Sequence, residues 1–245
     1  MQLNHKIALV TGGSSGIGKA IARQFANEGA TVYITGRRQE VLDDTVREIG
    51  ENAIGVRTDV SRVVELEALF ETIRHRHGRL DVLVANAGGV ELARLGEISE
   101  EHYERTFTNN VKSVLFSVQL GLPLLVPGAS VILTGSATSV TGGEALSVYS
   151  ATKAAVRNFA RSWVQDLKGR QVRVNVLSPG PVRTPALVGL VGNDETLLDG
   201  FAQAIPLGRV GEPEEIGRAA LFLATDASSF VNGAELFVDG GLAQI

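Results

Sequence analysis

An apolar segment, Ile7-Ala8-Leu9-Val10, runs straight into Thr11-Gly12-Gly13-Ser14-Ser15-Gly16-Ile17-Gly18. The chain then continues as Lys19-Ala20-Ile21-Ala22-Arg23-Gln24-Phe25-Ala26, whose apolar residues recur at helical spacing. Strand, glycine turn and helix in that order leave few folds open. Glycines admit positive φ and remove the Cβ that would hold backbone away from a ligand, while the new helix aims free N–H groups and its positive dipole end at the turn. A pyrophosphate answers that chemistry, so Gly12, Ser14, Ser15, Gly16, Ile17 and Gly18 are expected to cradle a dinucleotide. The spacing Gly12-x-x-x-Gly16-x-Gly18 differs from G-x-G-x-x-G, and an isolated glycine-rich turn is often only a turn; the flanking strand and helix make this one specific.

The alternation continues to the end of the chain. Apolar runs at Thr31–Thr35, Ile54–Thr58, Leu80–Val84, Val131–Gly135, Val172–Leu177 and Glu235–Val238 read as buried strands, and the segments between them carry one apolar stripe at helical spacing. Glu100 to about Leu122 reads as one helix, Tyr149 to about Lys168 as another, and Glu215–Ala224 as the last. Strand–helix alternation implies an α/β fold with a doubly wound parallel sheet of about seven strands, helices on both faces. The 245 residues contain no linker or low-complexity stretch, so residues 1–245 are expected to form a single domain.

The strand Thr31–Thr35 ends in Gly36-Arg37-Arg38, about twenty residues past the glycine turn, where an NAD site would place an acid for the ribose 2′-hydroxyl. No acid stands there. A guanidinium offers a planar fork and permanent positive charge to a 2′-phosphate, so Arg37, assisted by Arg38, argues for NADP(H). The competing reading is a solvated helix start, but cations are unfavourable at a helix N-terminus.

Tyr149 and Lys153 lie four apart in Tyr149-Ser150-Ala151-Thr152-Lys153, with Ser136 thirteen residues upstream at the end of Val131-Ile132-Leu133-Thr134-Gly135. Taken alone, a Tyr and a Lys at this spacing describe a surface pair. A serine at a strand end, where open α/β sheets place ligands, changes that reading. A cation about 4 Å from the phenol at an effective dielectric near 20 is worth on the order of 4 kcal/mol, or roughly three pK units below the usual value near 10. The expected result is a tyrosine able to exchange protons near neutral pH.

With these pieces in order, the chain resembles the short-chain dehydrogenase/reductases, which share a Thr-Gly-x-x-x-Gly-x-Gly turn, a Tyr-x-x-x-Lys site and a Rossmann-type fold. The matching pieces span nearly all of it: Thr11 to Gly18; Asp59-Val60; Asn86-Ala87-Gly88; Asn110; Ser136; Tyr149 and Lys153; Pro179-Gly180 with Thr184; and Val238-Asp239-Gly240-Gly241. Ala85 departs from the pattern, standing where many members carry a second Asn, which is expected to alter only local hydrogen bonding. The resemblance implies that Asn110, Ser136, Tyr149 and Lys153 are catalytic, with Asn110 holding a water that links Lys153 to solvent. It implies that Asp59 and Val60 border the adenine, although Asp59 would serve equally as a helix cap. Asn86, Ala87 and Gly88 would pass beneath the cofactor. Pro179, Gly180, Val182 and Thr184 would lie beside the nicotinamide, together with Tyr149 and Lys153, and a homotetramer is the usual assembly.

Composition narrows the partners. Forty-four per cent hydrophobic and 20% charged residues suit a buried core, and a net charge of −4 with scattered cations offers no basic face for nucleic acid. No cysteine means no disulfide, thiolate nucleophile or cysteine metal site, which fits a reducing compartment without requiring one. The four histidines, at 5, 75, 77 and 102, are too scattered for a metal site to be expected. The opening Met1-Gln2-Leu3-Asn4-His5-Lys6 lacks an apolar signal core and no window is apolar for long enough to span a bilayer, so no membrane partner is expected and the location is read as cytoplasmic.

Three functions remain open: reduction of a free ketone or aldehyde, reduction of 3-oxoacyl groups on an acyl carrier protein, and a non-catalytic NADP(H)-sensing role. The sensor needs the glycine turn but not Asn110, Ser136, Tyr149 and Lys153 together. An acidic carrier asks for cations near the entrance, and Leu120–Gly135 has none, which favours a free small-molecule carbonyl or alcohol with an apolar body. Glu144 either faces the pocket or is a solvated loop residue. Residues 185–205 carry apolar side chains among glycines and read either as a substrate lid or as a surface helix pair. The apolar end Leu242-Ala243-Gln244-Ile245 suits a subunit contact.

Overall fold

The computed structural model describes residues 1–192 and 194–244. Asn193, within the expected lid, and Ile245, within the expected subunit contact, lie outside the described residues. Seven parallel strands form one sheet: β1 (Ile7–Val10), β2 (Thr31–Gly36), β3 (Ala53–Arg57), β4 (Leu80–Ala85), β5 (Leu125–Thr134), β6 (Arg173–Pro179) and β7 (Glu235–Val238), in the order β3-β2-β1-β4-β5-β6-β7. The helices are α1 (Gly16–Asn27), α2 (Gln39–Ile49), α3 (Val63–His77), α4 (Glu100–Phe107), α5 (Ser113–Gly121), α6 (Ser147–Asp166), α7 (Pro185–Leu190), α8 (Glu195–Ala204) and α9 (Pro213–Ala224).

The pleat explains why the strands are apolar throughout. Leu9, Tyr33, Leu83, Val131 and Val176 project to one face, against Leu66, Phe70 and Ile73 of α3, Val118 of α5 and Val156 of α6. Ala8, Val10, Ile34, Val82 and Ile132 project to the other, against Ile21 and Phe25 of α1, Leu42 of α2 and Ile216 and Ala220 of α9. A strand buried on both faces has no polar side to show. The chain runs outward from β1 through β2 to β3, then returns to β4 on the other side of β1. The strand order therefore reverses between β1 and β4, and a crevice opens there at the carboxyl ends of the strands.

Two expectations need correction. The helix read as continuous from Glu100 to Leu122 is broken: a π-helical segment, Thr108–Lys112, separates α4 from α5, and a 3₁₀ turn follows at Leu122–Leu124. The wider turn carries Asn110 inward, where its Oδ1 accepts from the Gly89 amide and its Nδ2 donates to the Gly89 carbonyl, both at 2.9 Å. Strand β5 also begins earlier than its apolar run, at Leu125. A register shift opposite Leu80–Val82 accommodates Pro127 and Gly128.

Candidate active site

A cleft of about 660 Å³ opens over the crevice. Its walls include Gly12, Ser14, Ser15, Gly16, Ile17 and Gly18; Arg37 and Arg38; Asp59 and Val60; Asn86, Ala87 and Gly88; Ser136, Tyr149 and Lys153; and Pro179, Gly180, Val182 and Thr184. Of the expected site residues, only Asn110 lies behind the wall rather than on it.

The glycine turn is built for close approach. Gly12 and Gly16 adopt φ of +64° and +51°, which β-carbons disfavour. Ser15 precedes α1 in extended conformation, makes no side-chain cap, and the first turn carries no acid, so the leading amides of α1 remain available to an anion. Thr11 bolts this turn to the one after β4: its hydroxyl accepts from the amides of Asn86 at 2.9 Å and Ala87 at 3.1 Å, and Asn86 Nδ2 donates to the Thr11 carbonyl at 3.0 Å. The two backbone turns that frame the crevice are thus held by two side chains, Thr11 and Asn86.

Beyond β2, Arg37 and Arg38 are exposed at the cleft wall. Asp59 faces them from the end of β3. Its partial burial opposes ionisation, but the Ser61 hydroxyl and amide and the charges of Arg37 and Arg62 outweigh that and hold its carboxyl below the usual value. Oδ1 of Asp59 accepts from the Ser61 amide at 3.0 Å and the Ser61 hydroxyl at 2.7 Å, so Asp59 closes a turn ahead of α3 while lining the cleft. Together, the open α1 amides and the small residues Ala87 and Gly88 fit a dinucleotide.

At the other end, Ser136 lies two residues past β5, and its Oγ accepts from the amide and hydroxyl of Thr138 at 3.2 and 3.0 Å. Tyr149 and Lys153 lie on the first turns of α6, and Lys153 Nζ sits 5.7 Å from the Tyr149 ring centroid. Here the electrostatic expectation is overturned. Burial pushes the Tyr149 phenol up from its ordinary value, and the Ser136 hydroxyl draws it only part of the way back. Lys153 is itself buried, which drops it to about 8, and its Nζ donates to the Thr134 carbonyl at 2.9 Å. For the phenol, desolvation outweighs the Ser136 hydrogen bond that opposes it.

Asn110 is fully buried and its amide is committed to Gly89 and, at 3.3 Å, to the Thr152 hydroxyl one residue before Lys153. A β-carbon at Gly88 would lie 2.7 Å from Asn110 Oδ1, so the cleft floor and the π turn are fitted to each other. Thr184 caps α7, its Oγ1 accepting from the Leu187 amide at 3.2 Å, and the neighbouring Val182 bridges to Gly211. Glu144 lies on the surface, paired with Arg94 at 2.7 Å and outside the cleft lining. Sequence reading missed Glu91, which lines the cleft and is gripped by the Arg105 guanidinium at 2.6 to 3.0 Å, and missed Thr134, whose carbonyl holds Lys153.

Residues 12–243 match a family model described as "Enoyl-(Acyl carrier protein) reductase". The oxidoreductase asL5 of Sarocladium schorii is 45% identical, with 100% of this chain and 98% of that protein covered. The NADP-dependent (R)-specific alcohol dehydrogenase of Lentilactobacillus kefiri is 36% identical over 98% of this chain and 97% of its own. A solved short-chain dehydrogenase/reductase of Brucella melitensis, titled glucose/ribitol dehydrogenase, superposes with a TM-score of 0.93 at 30% identity, covering 98% of both chains. The chain belongs to the short-chain dehydrogenase/reductases.

Membership in the short-chain dehydrogenase/reductases makes it an oxidoreductase with a nicotinamide cofactor. Among the described residues no group of three or more His, Cys, Asp or Glu could hold a metal ion, and no helix is long and apolar enough to cross a membrane.

Proposed function

We propose that this protein uses NADP(H) to reduce a free ketone or aldehyde with an apolar body to the alcohol, reversibly. One observation carries the reading: Ser136, Tyr149 and Lys153 line the same cleft as the Gly12–Gly18 turn and Arg37. When bound, the nicotinamide supplies a hydride to the carbonyl carbon. The chain's task is then the oxygen. The Ser136 hydroxyl donates a hydrogen bond to it, and the Tyr149 hydroxyl transfers its proton as negative charge builds, so that C=O plus hydride plus proton gives CH–OH. Burial helps in this direction, because a phenol held protonated is ready to donate. Lys153 steadies the phenolate left behind and, from beside Thr134, orients the cofactor's ribose. Asn110 fixes the Gly88–Gly89 floor and, through Thr152, the helix turn that carries Lys153.

Arg37, Arg38 and Ser14 would hold the 2′-phosphate, and a 36%-identical relative is described as NADP-dependent. The apolar body is supported by exposed Leu92 and Leu95 after β4, Val140 after β5, and Leu190 and Leu197 after β6, all on segments leaving the carboxyl ends of the strands beside the site. Residues 185–205, the α7–α8 pair, serve as the lid in this reading. A cytoplasmic location and a homotetramer belong to this reading, the first compatible with the cysteine-free composition and the second with the family resemblance.

The second reading, reduction of 3-oxoacyl groups on an acyl carrier protein, is favoured by the carrier protein named in the family model's description. Against it, Arg105 is already paired with Glu91 of the cleft wall, and Arg94 with Glu144 on the surface. NADPH and NADH oxidation measured against a panel of ketones, with one β-ketoacyl thioester included, tests both. Turnover of free ketones with NADPH is expected. Selective turnover of the thioester would favour the carrier reading, and absence of any turnover would overturn both.

A further inference from the structure

The side chain of Glu235, on the edge strand β7, is only 9% exposed although it lies outside the cleft lining. A buried carboxylate is retained only where donors satisfy it. Here two serine hydroxyls do so: those of Ser139 and Ser178 both donate to Oε1 of Glu235 at 2.7 Å. The other carboxylate oxygen lies 3.9 Å from Nε of Arg157.

Each of these three partners belongs to a different part of the catalytic apparatus. Ser139 ends the 3₁₀ turn that begins immediately after Ser136. Ser178 directly precedes Pro179 and Gly180, and its hydroxyl packs where a β-carbon at Gly135 would stand, one residue before Ser136. Arg157 follows Lys153 by four residues, as Lys153 follows Tyr149, so all three share one stripe of α6. No backbone ladder ties the Ser136 turn to the Pro179 turn beyond the Gly135 amide, which donates to the Leu177 carbonyl at 2.8 Å.

We infer that Glu235 is a positioning residue, a carboxylate clamp that fixes the Ser136 turn against the Pro179–Gly180 turn and both against the Tyr149/Lys153 face of α6. It touches neither substrate nor cofactor in this assignment. It acts through Ser139 and Ser178 on where the Ser136 hydroxyl points. A misplacement of about 1 Å at a reacting group costs on the order of 100-fold in rate, so a clamp outside the cleft has leverage on turnover without contributing to binding. The inference rests on the proposed carbonyl reduction, and its test contains a readout that does not need turnover.

Glu235→Ala, Glu235→Gln, Ser139→Ala and Ser178→Ala are compared with the parent for kcat and KM on whichever ketone the parent reduces, for thermal midpoint, and for amide hydrogen exchange in the cofactor-free protein. Glu235→Gln keeps an oxygen for both serines and is expected to remain within threefold of the parent in kcat. Glu235→Ala is expected to lose at least tenfold in kcat with the ketone KM changed less than threefold, and to speed exchange together in peptides covering 135–140 and 178–182 while α1 and α3 are unaffected. The serine variants should each lose part of that kcat and lose nothing more when combined with Glu235→Ala. Unchanged kcat and exchange in Glu235→Ala, or accelerated exchange across the whole chain with kcat falling only as the folded fraction does, would overturn the clamp. If the parent turns over nothing, the exchange pattern alone decides the clamp, and the failure belongs to the reductase reading. Should Glu235→Ala not fold, Ser139→Ala and Ser178→Ala carry the same comparison.

Discussion

Lys153 Nζ donates to the main-chain carbonyl of Thr134, 2.9 Å away at the end of β5, and so anchors α6 to the strand that leads to Ser136. The bond sets position at an electrostatic cost. Buried as it is, Lys153 falls from its ordinary 10.5 to about 8, a penalty of roughly 3 kcal/mol on its charged form.

That penalty has a pH signature. Below pH 8 the folded protein carries the buried cation and the full cost. Between about 8 and 10.5 the unfolded chain binds the proton that the folded chain has released, so stability rises with pH until the raised Tyr149 phenol begins to oppose it above 10. Lys153→Met should therefore lose turnover by at least 100-fold yet be more stable at pH 7, by about 1–2 kcal/mol after the lost Thr134 bond is counted, and should lose the rise between pH 8 and 10. Urea denaturation of the cofactor-free proteins at pH 7, 8, 9 and 10 measures this. Parallel stability curves for the two proteins would contradict it.

Tyr149 lines the cleft half-buried beside Ser136, whose hydroxyl is its hydrogen-bond partner. Tyr149→Phe keeps the ring and its packing, so cofactor affinity, read by NADPH fluorescence titration, should stay within twofold. Turnover should fall at least 100-fold, the usual share of a general acid. A variant that keeps more than a small percentage of parental turnover would remove Tyr149 from the proton-transfer role.

Local signals were legible and distant ones were not. The Thr11–Gly18 turn and the Tyr149/Lys153 face follow from residues adjacent in sequence or one helical turn apart, and the structure has both. The π turn at Thr108–Lys112 exists because Asn110 reaches Gly89, and no periodicity within 100–122 reports on that partner. The upward shift of Tyr149 was hidden for the same reason: spacing gives the separation of two side chains but not how much protein covers them. Two signals were present and passed over. Thr184-Pro185 and Asp194 are helix starts, each with a side-chain oxygen accepting from a first-turn amide, and they divide residues 185–205 into α7 and α8.

Arg37 is exposed on the cleft wall and close enough to Asp59 to help lower its carboxyl. A charge-assisted bond to a phosphate is worth about 1.5–3 kcal/mol, or roughly 10- to 100-fold in affinity. Arg37→Asp should lower kcat/KM for NADPH by at least that range while changing NADH by less, so that the ratio of the two moves towards NADH. Initial rates with both cofactors on one ketone decide it, and an unmoved ratio would refute the phosphate assignment.

Thr11 offers the cleanest test of how the fold holds its cofactor cradle. Its side chain is 2% exposed, and the hydroxyl accepts from the amides of both Asn86 and Ala87. Thr11→Val preserves shape and removes that acceptor, leaving two amides of a tight turn without it. At about 1–3 kcal/mol for each buried donor left unmade, the variant should lose 2–4 kcal/mol, since the amides are only partly shielded. The turn after β4 would also drift from the glycine turn, so NADPH affinity should fall about tenfold even where the protein is fully folded. Thr11→Ser restores the hydroxyl without the methyl and should recover all but about 1 kcal/mol. Denaturant titration and cofactor binding measured on the three proteins separate the two effects. If Thr11→Val matches Thr11→Ser in both, the hydroxyl does not couple the turns and the cradle is held by Asn86 alone.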